Sequence, residues 1–212
     1  MTLRADLAFL YRDVAARGLI VGSSGNVSAR SKRGGMVITP TGASGAGVTS
    51  ASLIEMEMDG TYHSQRQPSS EWEMHAAIYR QASNAQVIVH THSDYATALS
   101  CLNLPLPAFH YDIAQFGGAD VRVARYATFG TPEIARNAAK AIKGRTACLL
   151  ANHGMICHAE TIEAALLTAV RLEAMARQYM IARAAGEVRL LTQAEIDATI
   201  VRYQTYGQRD QL

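Results

Sequence analysis

Two histidines separated by one residue are the first feature of the sequence that could carry chemistry. His90 and His92 lie at the end of an apolar, alternating run that begins at Val87. Residues two apart on a strand point to the same face, so both imidazoles could bind one metal ion. The same spacing also fits two hydrogen-bonded histidines at a strand end, so the pair is a weak signal by itself. A metal site would need further ligands from elsewhere in the chain.

Two other side chains are candidates for those ligands. His153 stands beside Gly154 between two apolar runs, where a short link can expose an imidazole, and Glu71 lies at the start of a predicted helix. Three imidazoles and one carboxylate form a ligand set that suits zinc. Because catalytic zinc usually keeps one exchangeable position, Glu71 could also leave the ion and act as a base. Alternatively, Glu71 only stabilises the helix N-terminus, by about 0.3 to 1 kcal/mol.

Three short polar stretches could bind a small anion such as phosphate. They are Gly22-Ser23-Ser24-Gly25-Asn26, Thr39-Pro40-Thr41-Gly42 and Ser69-Ser70. They supply hydroxyls, an amide and backbone donors, and the last stretch lies at a predicted helix N-terminus. Each stretch alone fits an ordinary turn or cap equally well. None matches the GxGxxG or GxxxxGK[ST] pattern, so Rossmann and P-loop nucleotide binding are not indicated.

The helices that would position these side chains are predicted from apolar spacing and cap signals. A first helix is expected from Leu3 to about Val14, with Gly18 placed to end it. The capping-box spacing of Ser70 and Glu73 predicts a helix to about Arg80, with Glu71 in its first turn. Further helix starts are predicted at Ser93-Asp94, at Thr131-Pro132-Glu133, near Ile162, and at a second capping box, Thr192-Gln193-Ala194-Glu195, which opens a last helix toward Tyr206-Gly207.

Short apolar runs between the helices predict strands. They cover 27–29, 36–39, 53–58, 87–92, 146–151 and 155–157. The Asp59-Gly60 turn predicts a hairpin from the third run into 61–63, so the amino-terminal strands are expected to be antiparallel.

Composition limits the classes of protein to which the chain can belong. With 212 residues, 49% hydrophobic and 18% charged, the sequence predicts a single folded domain over 1–212. The net charge of +2 is spread along the chain, so neither nucleic acid nor an anionic membrane is an expected partner. There is no signal peptide and no apolar run of about 20 residues, which favours a cytoplasmic location. Cys101, Cys148 and Cys157 are expected to be reduced core residues rather than a disulfide framework.

Six motifs occur together and in one order. They are Gly25-Asn26-Val27-Ser28, Ile38-Thr39-Pro40-Thr41-Gly42, Pro68-Ser69-Ser70-Glu71, His90-Thr91-His92, Tyr126-Ala127-Thr128-Phe129-Gly130-Thr131 and Asn152-His153-Gly154. In this combination the chain resembles the class II aldolases of the aldolase/adducin superfamily, and among them the L-fuculose-phosphate aldolases. The resemblance runs from about Leu7 to Thr205-Tyr206-Gly207, which is nearly the whole chain.

The resemblance implies a fold and a set of site residues. The fold would be α/β, a three-layer α/β/α arrangement with a central, mainly antiparallel mixed sheet, assembled as a homotetramer with active sites between subunits. Zinc would be bound by Glu71, His90, His92 and His153, with Glu71 also the acid/base. Phosphate binding maps to Ser23, Gly25, Asn26, Thr41, Gly42, Ser69 and Ser70. Tyr111 from a neighbouring subunit would transfer a proton at the aldehyde oxygen, while Phe129 and Tyr206 would shape that side of the pocket.

The implied reaction is zinc-dependent retro-aldol cleavage of a ketose 1-phosphate to dihydroxyacetone phosphate and an aldehyde. L-fuculose 1-phosphate and related 5-deoxypentulose 1-phosphates are the expected substrates. No lysine Schiff base is required, and Lys32, Lys140 and Lys143 are expected to be solvated charges. His63, His75, His110 and His158 receive no functional assignment and are expected to make surface or core hydrogen bonds.

Asp112 leaves other functions open, because L-fuculose-phosphate aldolases have an apolar residue after the tyrosine. Related pentose-phosphate 4-epimerases use an aspartate in that neighbourhood, whereas Asp112 could instead pair with an arginine such as Arg122 or Arg125. Glu71 and Tyr111 favour the aldolase over the epimerase. A sugar-acid-phosphate decarboxylase is a third enzymatic alternative. An adducin-like scaffold without catalysis is the non-enzymatic one, and the complete ligand set argues against it.

Overall fold

Helices and strands alternate along the chain in the computed structural model, which describes residues 2–206. The helices are α1 (Leu3–Ala16), α2 (Trp72–Gln81), α3 (Asp94–Cys101), α4 (Pro132–Ile142), α5 (Ile162–Ala185) and α6 (Gln193–Tyr203), with short 3-10 helices at Gly45–Gly47 and Tyr111–Phe116. The strands are β1 (Gly25–Arg30), β2 (Met36–Ile38), β3 (Ile54–Met56), β4 (Val87–Thr91), β5 (Val123–Ala124), β6 (Ala147–Leu150) and β7 (Gly154–Ala159).

The seven strands form one sheet in the order β3-β2-β1-β4-β7-β6-β5. Every neighbouring pair is antiparallel except β5 and β6, which are parallel. The predicted central, mainly antiparallel mixed sheet is therefore confirmed. The central strands β1, β4 and β7 are almost completely buried, so both faces of the sheet must be covered.

Helices cover the two faces with separate apolar clusters. On one face, α1, α3, α5 and α6 pack on alternate strand residues such as Val89 and Cys157. On the other face, α2 and α4 pack on Ile88 and Ile156, the intervening residues of the same strands. This alternation is the two-residue period of a strand, and it confirms the predicted three-layer α/β/α arrangement.

Several predicted helix starts are confirmed by their caps. The Thr131 hydroxyl accepts from the Ile134 amide with Pro132 in the first turn, and Thr192 forms a complete capping box with Glu195. These side chains satisfy backbone amides that a helix leaves free at its N-terminus. The predicted end of α6 at Gly207 lies outside the described residues.

The first predicted capping box is wrong. Helix α2 begins at Trp72 with Glu71 as N-cap, and no side chain caps it. Ser70 is therefore outside the helix, and Glu71 is not in its first turn. Ser69 makes the local bonds in place of Ser70: its hydroxyl accepts from the Glu71 amide and its carbonyl oxygen from the Trp72 amide, while the Glu71 carboxylate contacts Asn26 and His90.

Smaller differences concern strand ends and one cysteine. The third strand is shorter than predicted, and the second arm of the Asp59-Gly60 hairpin is a single bridge between Met56 and Tyr62. Strand β5 had no clear signal because it has only two residues. Cys148 and Cys157 are buried as expected, but Cys101 is exposed at the end of α3, so the prediction of three core cysteines is wrong there. Among residues 2–206, no helix combines the length and apolar composition that a membrane crossing requires.

Candidate metal centre

Four side chains from distant parts of the chain meet at one point. Glu71, His90, His92 and His153 each offer one ligand atom, and these atoms lie within 4.8 Å of one another. His90 Nε2 is 3.0 Å from His92 Nε2 and 3.1 Å from Glu71 Oε2. His153 Nε2 is 3.3 Å from Glu71 Oε1. The structure thus brings together all the residues predicted as metal ligands.

The pairing of strands explains why the histidines converge. Thr91, between His90 and His92, pairs with Met155 on β7, and the turn between β6 and β7 carries His153. Gly154 permits this close approach, since a Cβ there would lie 2.4 Å from the Thr91 carbonyl oxygen and 3.1 Å from the His92 ring. Any larger residue at the start of β7 would push the turn away from His92.

Glu71 enters the cluster from the opposite side, at the N-terminus of α2. Its Oε2 accepts a hydrogen bond of 2.9 Å from the Asn26 amide, and Asn26 pairs with His90 across β1 and β4. Glu71 is 7% exposed and Asn26 5%, while His90 is fully buried. A carboxylate in such surroundings must be compensated by charge and hydrogen bonds.

The charges around the cluster favour a cation at its centre. Burial raises the pKa of Glu71, but His90, His153 and Asn26 together lower it more, so the carboxyl stays ionised well below its usual range. Burial lowers the pKa of His90, yet the Glu71 carboxylate prevails and raises it. Burial first, and then His90, lowers the pKa of His92 and of His153 to about 4 each. These two rings are therefore neutral near pH 7, as metal ligands must be.

The donor atoms fit a divalent ion better than a proton. His90 Nδ1 donates to the Met155 carbonyl oxygen at 2.8 Å, which aims Nε2 at the cluster. A proton on His90 Nε2 could form a hydrogen bond to only one neighbouring atom at a time. It would leave Glu71 Oε1, which is buried, without a hydrogen-bond partner. Ligands about 2.0–2.1 Å from a tetrahedral ion stand roughly 3.3 Å apart, close to the 3.0, 3.1 and 3.3 Å that separate the three pairs of atoms named above. These four residues can hold a metal ion, and we call them the metal-binding group.

A cavity of about 470 Å³ opens above this group. Its wall includes the polar stretches predicted to bind phosphate, because two loops are tied together by the backbone: Ser69 N donates to Thr39 O and Thr41 N to Gln67 O, each at 3.0 Å. The lining residues are Ser23, Ser24, Gly25, Asn26, Pro40, Thr41, Gly42, Ser69, Ser70, Glu71, His92, Tyr126, Ala127, Phe129, Asn152 and His153.

Most of the predicted site residues thus lie together, but two do not. All seven predicted phosphate-binding residues and Phe129 line the cavity. Tyr111 and Tyr206 lie elsewhere, in a second hollow of about 640 Å³ between the 3-10 helix Tyr111–Phe116 and α6. Tyr111 is 52% exposed and Tyr206 76%. Within one chain, these two rings do not meet the metal-binding group.

Asp112 is held by neighbours that the sequence did not indicate. The Tyr203 hydroxyl donates a short hydrogen bond to Asp112, and Gln115 donates another at 3.0 Å. Arg122 lies near Asp120 instead, and within the described part of one chain Asp112 forms no ion pair with Arg122 or Arg125, the alternative considered above. The carboxylate of Asp112 therefore joins the 3-10 helix to α6.

Some cavity residues escaped the sequence-based assignment. Tyr126 and Asn152 line the cavity, and both belong to motifs that carried the family resemblance. Ser24 lies between two residues predicted to bind phosphate, and only its neighbours indicated a role. Lys32, Lys140 and Lys143 are exposed as expected, so none is a buried amine suited to a Schiff base.

Comparison with known proteins gives consistent matches over nearly the full length. The sequence matches the family described as Class II Aldolase and Adducin N-terminal domain over residues 5–180. A 5-methylthioribulose-1-phosphate/5-deoxyribulose-1-phosphate aldolase from Rhodospirillum rubrum is 40% identical over 212 residues, which are 100% of this chain and 96% of the relative. An L-fuculose phosphate aldolase from Escherichia coli strain K12 is 39% identical over 193 residues, covering 91% of this chain and 89% of the relative.

A solved structure extends the similarity to three dimensions. An L-fuculose 1-phosphate aldolase matches with a TM-score of 0.90 and 36% identity, covering 96% of this chain and 98% of the other. The resemblance predicted from the six motifs is confirmed, and the relatives support an aldolase, a lyase, as the enzyme class. The chain belongs to the class II aldolase and adducin family.

Proposed function

We propose that the protein is a zinc-dependent aldolase that cleaves a ketose 1-phosphate into dihydroxyacetone phosphate and an aldehyde. The observation that carries this proposal is the shared cavity, in which one carboxylate and two imidazoles of the metal-binding group lie beside loops rich in hydroxyls and glycine. One part of the cavity suits a metal ion and the adjoining part suits a phosphate. A phosphorylated ketose presents both kinds of group to a single site.

Zinc is the ion that we assign to Glu71, His90, His92 and His153. Three imidazole nitrogens and a carboxylate oxygen are a donor set that zinc commonly takes. When bound, a divalent ion supplies Lewis-acid stabilisation for negative charge that develops on the ketose oxygens as the carbon–carbon bond breaks. His90 lies deepest and is oriented by the Met155 carbonyl, while His92 and His153 reach the cavity wall.

The phosphate is proposed to lie against the loops at Ser23–Asn26, Thr41-Gly42 and Ser69-Ser70. Their hydroxyls and backbone amides can donate to phosphate oxygens, and the last pair precedes the N-terminus of α2, where the helix dipole favours an anion. The backbone bonds between the second and third loops keep these donors at a fixed distance from Glu71. Anchoring one end of the substrate positions its reacting carbons beside the metal-binding group.

Glu71 is the group that we assign to move the carbon-bound proton. It stays ionised, its Oε2 is held by Asn26, and its buried Oε1 has no hydrogen-bond partner. An ionised carboxylate with one engaged and one unengaged oxygen can accept a proton from a substrate carbon and return it. In the cleavage direction Glu71 must first take up a proton from solvent, and it then delivers this proton to the carbon that becomes the hydroxymethyl group of dihydroxyacetone phosphate.

The second proton transfer is assigned to Tyr111 of another copy of the chain. In cleavage, the substrate hydroxyl that becomes the aldehyde must lose its proton, and a tyrosine can take part in that transfer. Tyr111 is exposed and lies outside the cavity of its own chain, which supports a site completed between subunits of a homotetramer. Tyr206 and Phe129 are proposed to shape the aldehyde side of that site.

The substrate class is proposed from the names of the relatives and from the cavity. The relatives include aldolases named for L-fuculose phosphate, 5-deoxyribulose 1-phosphate and 5-methylthioribulose 1-phosphate. L-fuculose 1-phosphate and 5-deoxypentulose 1-phosphates are accordingly the substrates that we propose. The hydrogen bonds of Asp112 to Tyr203 and Gln115 give it a structural role and do not favour the epimerase alternative.

The proposal can be tested by incubating the zinc-loaded protein with each of these ketose 1-phosphates. We expect formation of dihydroxyacetone phosphate and an equal amount of the partner aldehyde, abolished by a chelator and restored by zinc. A zinc-binding protein that releases carbon dioxide from a sugar-acid phosphate would contradict the aldolase assignment. So would one that only inverts the configuration at carbon 4 of a pentose phosphate. A folded protein with neither metal nor activity would support the scaffold alternative.

A further inference from the structure

A chain of buried polar side chains extends from Glu71 into the layer between β1 and α2. Asn26 Nδ2 donates to Glu71 Oε2 at 2.9 Å, and Asn26 Oδ1 is 2.6 Å from His75 Nε2. His75 Nδ1 is 2.7 Å from the Ser28 hydroxyl, which is 2.9 Å from the Tyr79 hydroxyl. None of the four residues beyond Glu71 is more than 5% exposed.

Regular spacing on both elements produces this chain. Asn26 and Ser28 are two apart on β1 and share a face, while His75 and Tyr79 are four apart on α2 and lie one turn from each other. The surrounding cluster is apolar and includes Met36, Ile38 and Ile88. Polar groups in such surroundings lower stability unless each finds a partner, so every member must be oriented to suit the next.

Only one direction of donation satisfies the whole chain. In the structure the Asn26 NH₂ group faces Glu71 Oε2, and the Asn26 amide oxygen faces His75 Nε2. His75 must then donate through Nε2–H and accept through Nδ1 from the Ser28 hydroxyl. Because the Ser28 proton is directed to His75, Tyr79 donates to Ser28 at 2.9 Å, a shorter contact than its other acceptor, the Gln86 carbonyl oxygen at 3.5 Å. The donors therefore all point toward Glu71.

The protonation states of the two titratable members agree with this direction. Burial, and to a smaller extent His90, lowers the pKa of His75 to about 3, so the ring is neutral and carries a single N–H. Burial raises the pKa of Tyr79, so its hydroxyl keeps the proton that it donates. With the opposite tautomer of His75, the Asn26 amide would turn its oxygen toward the Glu71 carboxylate, and two acceptors would face each other.

We propose that His75 is a positioning residue that fixes the orientation of the Asn26 amide and, through Asn26, the Glu71 carboxylate. The consequence is that Oε2 is restrained while Oε1 stays available to the metal ion or to the substrate proton. This inference rests on the proposed function only for its effect on catalysis. Its effect on metal binding needs no substrate, because Glu71 is itself one of the four donors.

Two substitutions at position 75 separate this role from simple packing. The amide nitrogen of His75→Gln reaches the place of Nε2 and can still donate to Asn26. The amide of His75→Asn reaches only the place of Nδ1, so it can bond Ser28 but not Asn26. Both replacements are neutral and polar, and both lose packing of the imidazole ring against the apolar cluster. The difference between the two variants therefore reports the hydrogen bond to Asn26.

We expect His75→Asn to weaken zinc binding by about 10- to 100-fold, the usual cost of losing a partner of a metal ligand. His75→Gln should stay within about threefold of the unmodified protein, and so should the control Tyr79→Phe, which removes only the far end of the chain. Zinc affinity is measured by competition with a chelating dye, and the visible spectrum of the cobalt-substituted protein reports whether the carboxylate ligand has moved. In the cleavage assay, kcat should fall in His75→Asn while KM changes little.

Equal zinc affinity and equal cobalt spectra in His75→Asn and His75→Gln would overturn the proposal. The tautomer of His75 provides a test that needs no variant. In the histidine-labelled protein, nitrogen-15 NMR should show Nε2 protonated and Nδ1 unprotonated, and the opposite tautomer would refute the proposed direction of donation. A protein that shows the expected affinities and tautomer but cleaves no ketose 1-phosphate would retain this inference while contradicting the proposed function.

Discussion

The metal-binding cavity and the aromatic hollow at Tyr111 are built in opposite ways. Around the metal-binding group, His90 and Asn26 lie on central strands, and hydrogen bonds hold both side chains beside Glu71. In the hollow, Tyr111 and Tyr206 expose more than half of their surface. Tyr111 lies on a short 3-10 helix, and Tyr206 lies just beyond the end of α6.

This difference shows which half of the proposed site one chain can build. Side chains placed by strand register in a buried layer are already oriented before any ligand arrives, which is what charge stabilisation requires. Exposed aromatic rings on short elements lack that support, and another copy of the chain would supply it. The metal-binding half should therefore be complete in a single chain, whereas the half around Tyr111 should depend on assembly.

The largest effect is expected from removing a ligand in the buried half. His92→Ala should lower zinc affinity by more than ~100-fold, because removing a ligand costs more than removing a residue that only hydrogen-bonds a ligand. Cleavage activity should be lost together with the metal. His63→Ala is the matched control, because His63 is an exposed histidine that belongs neither to the metal-binding group nor to the cavity lining, so its loss should change neither property. Metal content and aldolase activity, measured on the same samples, check the prediction. Full zinc binding and activity in His92→Ala would remove it from the ligand set.

Replacing the carboxylate should impair proton transfer more than folding. Glu71→Gln keeps the size of the side chain but cannot accept a proton, so exchange of the carbon-bound proton of dihydroxyacetone phosphate with solvent should slow by about 10²–10⁴-fold. The control is Glu73→Gln, two residues along the same helix start. Exchange is followed by NMR in deuterated water. Unchanged exchange in Glu71→Gln would assign the base to another residue.

Tyr111→Phe should lower kcat by roughly 10²-fold, since it removes one proton-transfer group, while zinc binding stays normal. Co-expression with Glu71→Gln subunits sharpens the comparison between the two halves. If each site combines Glu71 of one chain with Tyr111 of another, about a quarter of the sites in an equal mixture regain both groups. Activity measured on the mixed tetramers should then exceed that of either variant alone. No recovery would place both residues in the same chain's site or would exclude the role of Tyr111.

The smallest effect is expected at Asp112. Asp112→Asn keeps a hydrogen-bonding side chain between Tyr203 and Gln115, so the free energy of unfolding should change by no more than about 1 kcal/mol. Cleavage should continue at a similar rate because Asp112 has no assigned role in proton transfer. Thermal unfolding and the cleavage assay check both statements. Loss of activity in a stable Asp112→Asn protein would revive the acid/base role that the epimerase alternative assigns to this position.

The sequence predicted the sheet and the ligands well, because both leave local signals. Alternating apolar runs indicated the central strands, and the motifs around Glu71, His90 and His153 indicated the family. The capping box at Ser70 and Glu73 was a false signal, since the helix begins one residue later, at Trp72, and Glu71 at its N-cap is engaged by the buried cluster. The local residue spacing could not predict these contacts of Glu71, because its partners Asn26 and His90 are far away in sequence.

Other features depend on contacts that no local pattern encodes. His75 was expected only to make hydrogen bonds, and its link through Asn26 to Glu71 appears once β1 and α2 are packed together. Tyr111 was assigned by resemblance to a neighbouring subunit's site, and the structure of one chain shows only that it lies away from its own cavity. The single domain over 1–212, the tetramer and the cytoplasmic location stay predictions.

Anomalous X-ray scattering at the zinc edge, from crystals of the zinc-loaded protein, tests the metal-binding group most directly. We predict one strong peak about 2.0–2.2 Å from a nitrogen of His90, His92 and His153 and from an oxygen of Glu71. A peak at any other place, in protein that still cleaves ketose 1-phosphates, would show that these four side chains do not bind the ion on which the reaction depends.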